Sequence, residues 1–165
     1  MKNSFSLKMI AIVDEDFGIA KNGKISWSFK EDLAFFKEKT TNNIVIAGRI
    51  TFFSIPDAPL KNRINYIISK SLKSPVKGAE IFPSLEDALT DIENKFRENK
   101  PEIWIIGGAR LYNHALLHNL ITEAFITQVH KKYNADKFIN SSFLRSFKKE
   151  IVRRGENDTI FRYFK

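Results

Sequence analysis

The chain has 165 residues, of which 43% are hydrophobic and 28% charged, with a formal net charge of +8 at pH 7. This length and composition predict one globular domain over residues 1–165, in which residues 1–8 form an irregular extension before the first strand. Without cysteine there are no disulfides and no thiol chemistry. The sequence also has no run of about 18 apolar residues, the length needed for a membrane-spanning helix. The first residues are too interrupted for a signal peptide, so we expect a cytoplasmic protein.

The positive charge has two interpretations, a nucleic-acid surface or a general field that attracts small polyanions. Basic residues are spread along the whole chain without a block of about five or six, which favours the second interpretation. The three histidines do not have the spacing of metal ligands, so the sequence predicts no metal site.

The first predicted strand, residues 9–13, is a continuous apolar run of the kind that is buried on both faces of a sheet. It leads into a long polar connection, D-E-D-F-G-I-A-K-N-G-K-I-S-W, that contains the turn pair Asn22-Gly23. A connection of this length inside a compact domain is usually functional.

A helix is predicted to begin at Phe29, because Ser28 and Glu31 have the spacing of a capping box. Its apolar stripe consists of Phe29, Leu33 and Phe36, which recur at helical spacing.

Asp32 lies on the flank of this stripe, between Trp27 and Phe36, with no basic residue on its own side of the helix. Two interpretations are open for this carboxyl. Burial would raise its pKa into a range useful for proton transfer, which indicates a functional acid. A solvated aspartate in the first turn, favoured by the helix dipole, is the alternative.

The rest of the chain alternates strands with helices. Further strands are predicted at residues 44–47, Ile64–Ile68, Ala79–Phe82, 103–106 and 123–130. Helices are predicted after Arg49, after the cap Pro83-Ser84, and through Leu111 and Leu116. The order predicts an α/β fold: a mostly parallel central sheet of about eight strands flanked by helices, with a C-terminal antiparallel hairpin. Ligands of such sheets bind beyond the carboxyl ends of the strands.

Two strand-to-helix turns have the composition of phosphate sites. The turn I-V-I-A-G-R-I-T provides a glycine, the Thr51 hydroxyl and the Arg49 guanidinium, and I-W-I-I-G-G-A-R-L-Y provides two glycines and Arg110. Ser69-Lys70, after the third strand, adds a hydroxyl and a cation. Either turn alone is a weak signal, but together they indicate a ligand with more than one phosphate.

The sequence offers no serine in a nucleophile elbow and no carboxylate cluster for magnesium. One placed acid and two phosphate turns fit a redox cofactor that carries the main chemistry while the protein manages one proton.

Five motifs occur in order: W-x-x-x-x-D-L-x-x-F-K, V-I-x-G-R-x-T-F-x-S-I-P, P-L-K-N-R-I-N, I-S-K and I-W-I-I-G-G-A-R-L-Y. At this spacing the chain closely resembles the dihydrofolate reductase family, from about residue 9 to the C-terminus, with a looser final fifth. The resemblance implies NADPH-dependent reduction of 7,8-dihydrofolate to 5,6,7,8-tetrahydrofolate by a monomer that also binds antifolates.

The resemblance also implies a substrate site. Asp32 would hold the pteridine ring and direct its protonation, Trp27 would position a water, and Thr127 would bind the Asp32 carboxylate. Arg63 would grip the glutamate carboxylate, with Lys37 assisting at the rim. The remaining substrate residues would be Ile10, Leu33, Phe36, Ile55, Leu60 and Ile106, of which Phe36, Ile55 and Leu60 enclose the aminobenzoyl ring.

For the cofactor, the resemblance implies a cis peptide at Gly107-Gly108, Tyr112 beside the nicotinamide as a catalytic residue, and Lys70 at the 2′-phosphate. The other residues at the cofactor would be Ala11, Ile19, Ala20, Gly48, Arg49, Ile50, Thr51, Ser69, Ala109, Arg110 and Leu111. Taken singly, the apolar members also fit ordinary core, and Lys37 and Lys70 also fit solvated surface.

Two alternative functions stay open at this point. A riboflavin-pathway reductase would share the fold and the cofactor turns but not the acid between Trp27 and Phe36. A catalytically idle basic binding protein would not need Asp32, Arg63 or Tyr112. Departures from the family pattern at Ala20, Ser26, Ala47, Ala135 and Asn140 concern loop kinetics.

Overall fold

The computed structural model describes residues 6–22 and 30–165, without the side chains of Lys30 and Glu31. Its strands are β1 (Leu7–Val13), β2 (Gly18–Ala20), β3 (Ile44–Gly48), β4 (Ile64–Ile68), β5 (Ala79–Phe82), β6 (Ile103–Gly107), β7 (Ile121–Val129), β8 (Lys137–Phe138), β9 (Lys148–Arg154) and β10 (Asp158–Phe164). Its helices are α1 (Lys30–Thr40), α2 (Arg49–Ser54), α3 (Leu85–Lys95) and α4 (Ala109–Leu117), with a 3-10 helix at Ser141–Leu144. Within these described ranges, no helix has the length and apolar character needed to cross a membrane.

Eight strands form one sheet in the order β5-β4-β3-β6-β1-β7-β10-β9. The strands from β5 to β7 run parallel, β10 is antiparallel to β7, and β9 is antiparallel to β10. The predicted α/β fold with its C-terminal antiparallel hairpin is confirmed. Because parallel strands end at the same edge of the sheet, the turns that follow β4, β3 and β6 are neighbours.

The sheet has a buried layer on each side. On one side, α1 and α2 contribute Phe35, Phe36 and Phe52 to a cluster that includes Trp104 and Phe125 from the strands. We call this side the α1 face. Helices α3 and α4 pack on the opposite side. Strand β6 lies between the two layers and is buried along its whole length, which explains its uninterrupted apolar sequence.

Several predicted elements lie where the sequence placed them. Strands β4 and β5 have the predicted bounds. Helix α3 begins after Ser84, whose hydroxyl accepts a hydrogen bond of 3.1 Å from the N–H of Asp87. This side-chain cap satisfies one of the N–H groups that a helix start leaves without a partner.

Strand β1 begins two residues earlier than predicted, so Leu7 and Lys8 belong to the sheet and not to an N-terminal extension. Leu7 is fully buried and pairs with Ile121. Strand β7 therefore also begins two residues earlier than the predicted residue 123. The prediction was wrong because Lys8 interrupts the apolar run. Its ammonium lies 3.1 Å from Glu123 and 2.5 Å from Glu102, and these ion pairs allow a lysine inside the strand.

Helix α1 turns a different side to the sheet from the one predicted. Its inner side is formed by the less exposed residues at helical spacing, Asp32, Phe35, Phe36, Lys39 and Thr40. Leu33, assigned to the inner stripe, is 56% exposed, whereas the Phe35 ring packs 5.8 Å from that of Phe125. Asp32 therefore lies on the inner side of the helix, where the sequence pattern predicted only apolar residues.

The predicted helix start at Ser28 and Phe29, the predicted site residue Trp27 and the departure at Ser26 all lie outside the described residues.

In the described part of the connection after β1, residues 14–22, a short strand forms within the polar sequence. Its β2 segment pairs antiparallel with β8. Asp14, at the end of β1, is buried and accepts hydrogen bonds of 2.8 to 3.2 Å from the N–H groups of Asp16, Gly18 and Tyr133. One carboxylate thus holds residues 14–18 in a fixed shape, because it supplies the acceptors that these N–H groups need.

Two departures from the family pattern have a structural role here. A Cβ on Gly18 would clash with that of Ala135, so the alanine on one segment requires the glycine on the other. The N–H of Asn140 donates a bond of 2.8 Å to the Asn113 side chain of α4, and a proline at that position has no N–H to donate.

Candidate active site

The two glycine turns predicted from the sequence meet at the carboxyl ends of β3 and β6, which are neighbours in the sheet. The Gly107-Gly108 peptide is cis, as the resemblance implied. A Cβ built on Gly48 would lie 3.8 Å from the Gly107 oxygen and from the Gly108 nitrogen. The two turns therefore border one surface on which backbone groups are accessible at close range.

The hydroxyl of Thr51, in the first turn of α2, stands beside these glycines. A Cβ on Gly108 would lie 3.0 Å from Thr51 Oγ1, and one on Gly107 would lie 3.2 Å from Thr51 Cγ2. Gly107 also has a φ of +130°, which other residues rarely adopt. Both glycines are required for the backbone to approach Thr51 this closely.

Three exposed cations surround this surface. Arg49 follows Gly48, Arg110 follows the cis peptide, and Lys70 follows β4, the next strand in the sheet. Ser69 is held at the end of β4, where its N–H donates to Phe82 at 2.9 Å and its hydroxyl accepts from the N–H of Leu72 at 3.0 Å. The predicted phosphate residues are therefore brought to one edge of the sheet.

Tyr112 connects α4 to the end of β1. Its side chain is 4% exposed, and its hydroxyl donates a hydrogen bond of 2.6 Å to the carbonyl oxygen of Ile10. Burial raises the pKa of the Tyr112 phenol above its usual range, and the negative charge of Asp32 raises this pKa further. Tyr112 thus remains a neutral donor close to Asp32.

Asp32 faces the sheet from α1 and accepts a hydrogen bond from the hydroxyl of Thr127 on β7. Burial raises the pKa of this carboxyl above its ordinary value of 3.8, while the Thr127 hydrogen bond acts in the opposite direction. The structure therefore favours a partly buried acid over a fully solvated first-turn aspartate. A carboxyl in this state is suited to proton management.

Arg63 lies farther along the α1 face. Its Nη1 donates to Thr40 Oγ1 at 3.1 Å, its Nε donates to the Lys61 oxygen at 2.9 Å, and its guanidinium carbon lies 6.0 Å from the centre of the Phe36 ring. These contacts hold the guanidinium beside α1 on the side that Asp32 occupies. An arginine in a defined orientation is suited to a carboxylate ligand.

Asn65 fixes the turn that carries Arg63, a role the sequence reasoning missed. Its buried amide accepts from the N–H of Leu60 at 3.0 Å and donates to the oxygens of Leu60 and Arg63 at 3.0 and 3.1 Å. The signal was present, since Asn65 ends the motif P-L-K-N-R-I-N.

The predicted apolar residues divide between the two layers. Phe36, Ile55, Leu60, Ile10 and Ile106 belong to the cluster of the α1 face. Ala11, Ile19, Ala20, Ala109 and Leu111 belong to the layer on the opposite side. Leu33, Ile50 and Lys37 are exposed and contribute to neither. In the described part of the chain, no three metal-binding side chains lie together.

The comparison with known proteins agrees with this geometry. The sequence model of the family described as dihydrofolate reductase matches residues 6–164. The chain belongs to the dihydrofolate reductase family.

Individual relatives are similar over most of their length. The chain is 38% identical to a dihydrofolate reductase of Bos taurus over 144 residues, which cover 80% of this chain and 77% of that protein. It is 37% identical to the viral dihydrofolate reductase of Saimiriine herpesvirus 2 over 153 residues, covering 86% and 72%. It is 35% identical to a dihydrofolate reductase of Sus scrofa over 154 residues, covering 86% and 83%.

The family resemblance read from the five motifs is confirmed by these matches. Of the functions left open by the sequence, they favour dihydrofolate reduction over the riboflavin-pathway reductase and over the binding protein.

Proposed function

We propose that this member of the dihydrofolate reductase family, an oxidoreductase that reduces dihydrofolate, takes its hydride from NADPH and directs the accompanying proton through Asp32. The product is 5,6,7,8-tetrahydrofolate. The observation that carries the proposal is the partly buried Asp32 carboxyl, which is hydrogen-bonded to Thr127 and lies close enough to Tyr112 for its charge to act there.

The glycine surface supports a nicotinamide dinucleotide as the cofactor. The glycines let the backbone of this turn pack directly against Thr51, whose hydroxyl therefore lies beside backbone groups that a dinucleotide could approach. Arg49, Arg110 and Thr51 would hold the pyrophosphate, with Lys70 and Ser69 at the 2′-phosphate. When bound, the cofactor supplies the hydride. Tyr112, fixed on Ile10, would set the depth to which the nicotinamide enters.

Asp32 would bind the pterin ring and hold a proton near it. Burial raises its pKa, so the carboxyl exchanges its proton closer to neutral pH than an exposed aspartate does. Thr127 keeps one carboxylate oxygen oriented and leaves the other for the substrate. Trp27 would order a water at this point, as the family resemblance implies.

The α1 face would bind the rest of the substrate. Phe36, Ile55 and Leu60 offer an apolar surface for the aminobenzoyl ring, and Arg63 would form a fork with the glutamate carboxylate. Leu33 and Ile50, which are exposed, would contact the pterin and the nicotinamide, and Lys37 would assist Arg63 at the rim.

Two further expectations are part of the proposal. The chain would act as a monomer formed by a single domain. It would act in the cytoplasm, and the absence of cysteine is in line with that compartment. It would also bind antifolates, because these occupy the site of the pterin.

The test combines a spectrophotometric assay of NADPH oxidation by dihydrofolate with fluorescence titrations of NADPH and methotrexate. We expect turnover, and tight binding of methotrexate in the presence of NADPH. Binding of NADPH without dihydrofolate turnover or methotrexate binding would contradict the proposal and favour a different reductase. Binding of neither ligand would favour a protein without this enzymatic function.

A further inference from the structure

Asp158 is a buried carboxyl on the α1 face, close to the partly buried Asp32. In the antiparallel pair of β10 and β7, Ile160 is opposite Thr127 and Asp158 is opposite Val129. Side chains two residues apart on a strand point to the same face, so Asp158 shares the face of Thr127 and is its diagonal neighbour. Thr127 is the residue that donates to Asp32. Thr127 therefore neighbours both Asp158 and Asp32, the proposed catalytic acid.

Arg153 joins this group from the outermost strand. It lies opposite Ile160 in the pair of β9 and β10, which puts its side chain on the same face. Its Nη2 is 3.9 Å from Asp158 Oδ1, within ion-pair range but too far for a hydrogen bond. Among the described residues, Asp158 Oδ1 and the Nε and Nη2 atoms of Arg153 are buried without a hydrogen-bond partner.

Asp158 is 2% exposed, and a carboxylate oxygen that is buried without a hydrogen bond, as its Oδ1 is, is costly to bury. If this ion pair served only to stabilise the fold, we would expect the two side chains to approach to hydrogen-bond distance. Hydrogen bonds offset part of the free-energy cost of removing the two charges from water. What this pair provides is two opposite charges at defined positions: a buried carboxylate, whose charge acts over a longer distance than it would in water, and a half-exposed guanidinium beside it.

We propose that Asp158 and Arg153 are positioning residues whose charges set the protonation state of Asp32, and so the pH range over which the enzyme works. This inference rests on the proposed function, in which Asp32 manages the proton. The two residues act in opposite directions: the acid makes a charged Asp32 less favourable and the arginine makes it more favourable.

The electrostatics of Asp32 agree with this arrangement. Burial is the largest influence on its pKa and raises it, the Thr127 hydrogen bond lowers it, the charge of Asp158 raises it and that of Arg153 lowers it. Tyr112, the ionisable group that approaches from α4, remains neutral.

The other charged groups on the α1 face do not compete with this pair. Lys39, two turns along α1, lies over the rings of Phe35 and Phe125 at 5.6 and 4.7 Å. Arg63, farther along this face, is bonded to Thr40 and to the Lys61 oxygen. Four more charged residues lie toward the other end of the strands and pair with one another: Lys8, Glu123, Glu150 and Arg162. Within the described residues, Asp158 and Arg153 are therefore the charges through which the fold can adjust Asp32.

The experiment measures the pH dependence of kcat/KM for dihydrofolate in four variants. Asp158→Asn and Arg153→Met each remove one charge, Arg153→Lys keeps the charge, and the double variant removes both. Glu156→Gln and Arg154→Met are matched controls, because they remove like charges from exposed positions in the same hairpin.

We expect Asp158→Asn to move the midpoint of the profile to lower pH and Arg153→Met to move it to higher pH, each by about half to one pH unit. Above the midpoint this is a rate change of about three- to tenfold in each direction. The midpoints of the double variant and of Arg153→Lys are expected to lie near that of the parent protein. The midpoints of the two controls are expected to equal it. Midpoints that do not move, or that move in the same direction for both single variants, would overturn the inference.

A second readout separates this inference from the proposed function. In protein labelled with 13C at aspartate carboxyls, the resonance of Asp32 is the one lost in Asp32→Asn, and its titration is followed directly. We expect it to move to lower pH in Asp158→Asn and to higher pH in Arg153→Met, whether or not the protein turns over dihydrofolate. If Asp32→Asn remains active, the proposed role of Asp32 fails. If the resonance does not respond to Asp158 and Arg153, the charge-pair inference fails alone.

Discussion

Thr127 donates a hydrogen bond from its hydroxyl to Oδ1 of Asp32, across 95 residues of sequence. The bond joins the inner side of α1 to β7, and it orients one of the two carboxylate oxygens of Asp32. Because Thr127 lies inside a strand that is paired on both sides, its hydroxyl has little freedom to move. The carboxyl is therefore held in one orientation before any ligand binds.

Replacing Asp32 by asparagine is expected to reduce dihydrofolate turnover at neutral pH by orders of magnitude. Asparagine keeps the size of the side chain and its hydrogen bond to Thr127, but it has no proton to exchange. NADPH affinity is expected to remain near that of the parent protein, because the cofactor residues lie on other elements. Steady-state kinetics and a fluorescence titration test both points. Near-normal turnover would disprove the proposed role of Asp32.

The same variant is expected to change the pH dependence of stability. Burial raises the pKa of Asp32 in the folded protein above its ordinary value of 3.8. This group therefore contributes stability that is fully present below the unfolded-state pKa and is lost as pH rises through the folded-state pKa. Relative to the parent, Asp32→Asn should become progressively more stable over that pH window and then level off. Urea unfolding between pH 4 and neutral pH measures the difference, and a constant difference would contradict a raised pKa.

Thr127→Val is expected to raise the pKa of Asp32, because the hydroxyl stabilises the charged carboxylate and valine cannot. The pH–rate profile should move to higher pH, and Thr127→Ser should restore it because serine keeps the hydroxyl. The cost in unfolding free energy is expected to be about 1 kcal/mol, the usual value for one hydrogen bond. A profile that moves to lower pH would contradict the contact.

The parts of the fold that could be predicted from the sequence are those in which a local pattern and tertiary burial agree. The strands β4 and β5 and the cap at Ser84 are of this kind. Helix α1 is a case where they disagree. Its inner side includes Asp32 and Lys39, which an apolar pattern cannot reveal, because their burial depends on Thr127 and on the ring of Phe125.

Much of the candidate site followed from motifs, whereas its supporting residues did not. Asn65, Asp14 and Asp158 are buried polar residues whose partners are backbone groups or a side chain on another segment. Asn65 was marked by its place at the end of a motif, but nothing in the immediate sequence distinguishes Asp14 and Asp158 from turn residues. Their roles appear only when the fold brings the partners together, and this is also true of the β2–β8 pair.

Lys70→Ala is expected to weaken NADPH binding by about 10- to 100-fold, the range that corresponds to loss of a charge-assisted contact. NADH binding should change little, because only NADPH carries the 2′-phosphate. Lys77→Ala, which removes an exposed lysine from the same connection, is the matched control and should affect neither cofactor. Titration of both cofactors into the three proteins tests this. An equal loss for NADPH and NADH would show that Lys70 acts only through general charge.

Asn65→Ala is expected to weaken dihydrofolate binding through Arg63. The amide of Asn65 makes three hydrogen bonds to the backbone at Leu60 and Arg63, and alanine leaves those groups without partners. The unfolding free energy should fall by about 2 to 3 kcal/mol. Because the turn then no longer holds Arg63 against Thr40, KM for dihydrofolate should rise by about tenfold while kcat changes little.

Two comparisons separate this effect from a general loss of structure. A dihydropterin substrate without the glutamate tail has no carboxylate for Arg63, so its kcat/KM should be the same in Asn65→Ala and in the parent protein. Asn65→Asp keeps the acceptor for the Leu60 N–H but sets a carboxylate oxygen against the oxygens of Leu60 and Arg63, so its KM for dihydrofolate should rise at least as far as in Asn65→Ala. If both substrates lose activity equally, Asn65 supports the fold as a whole. If neither does, the orientation of Arg63 does not depend on this turn.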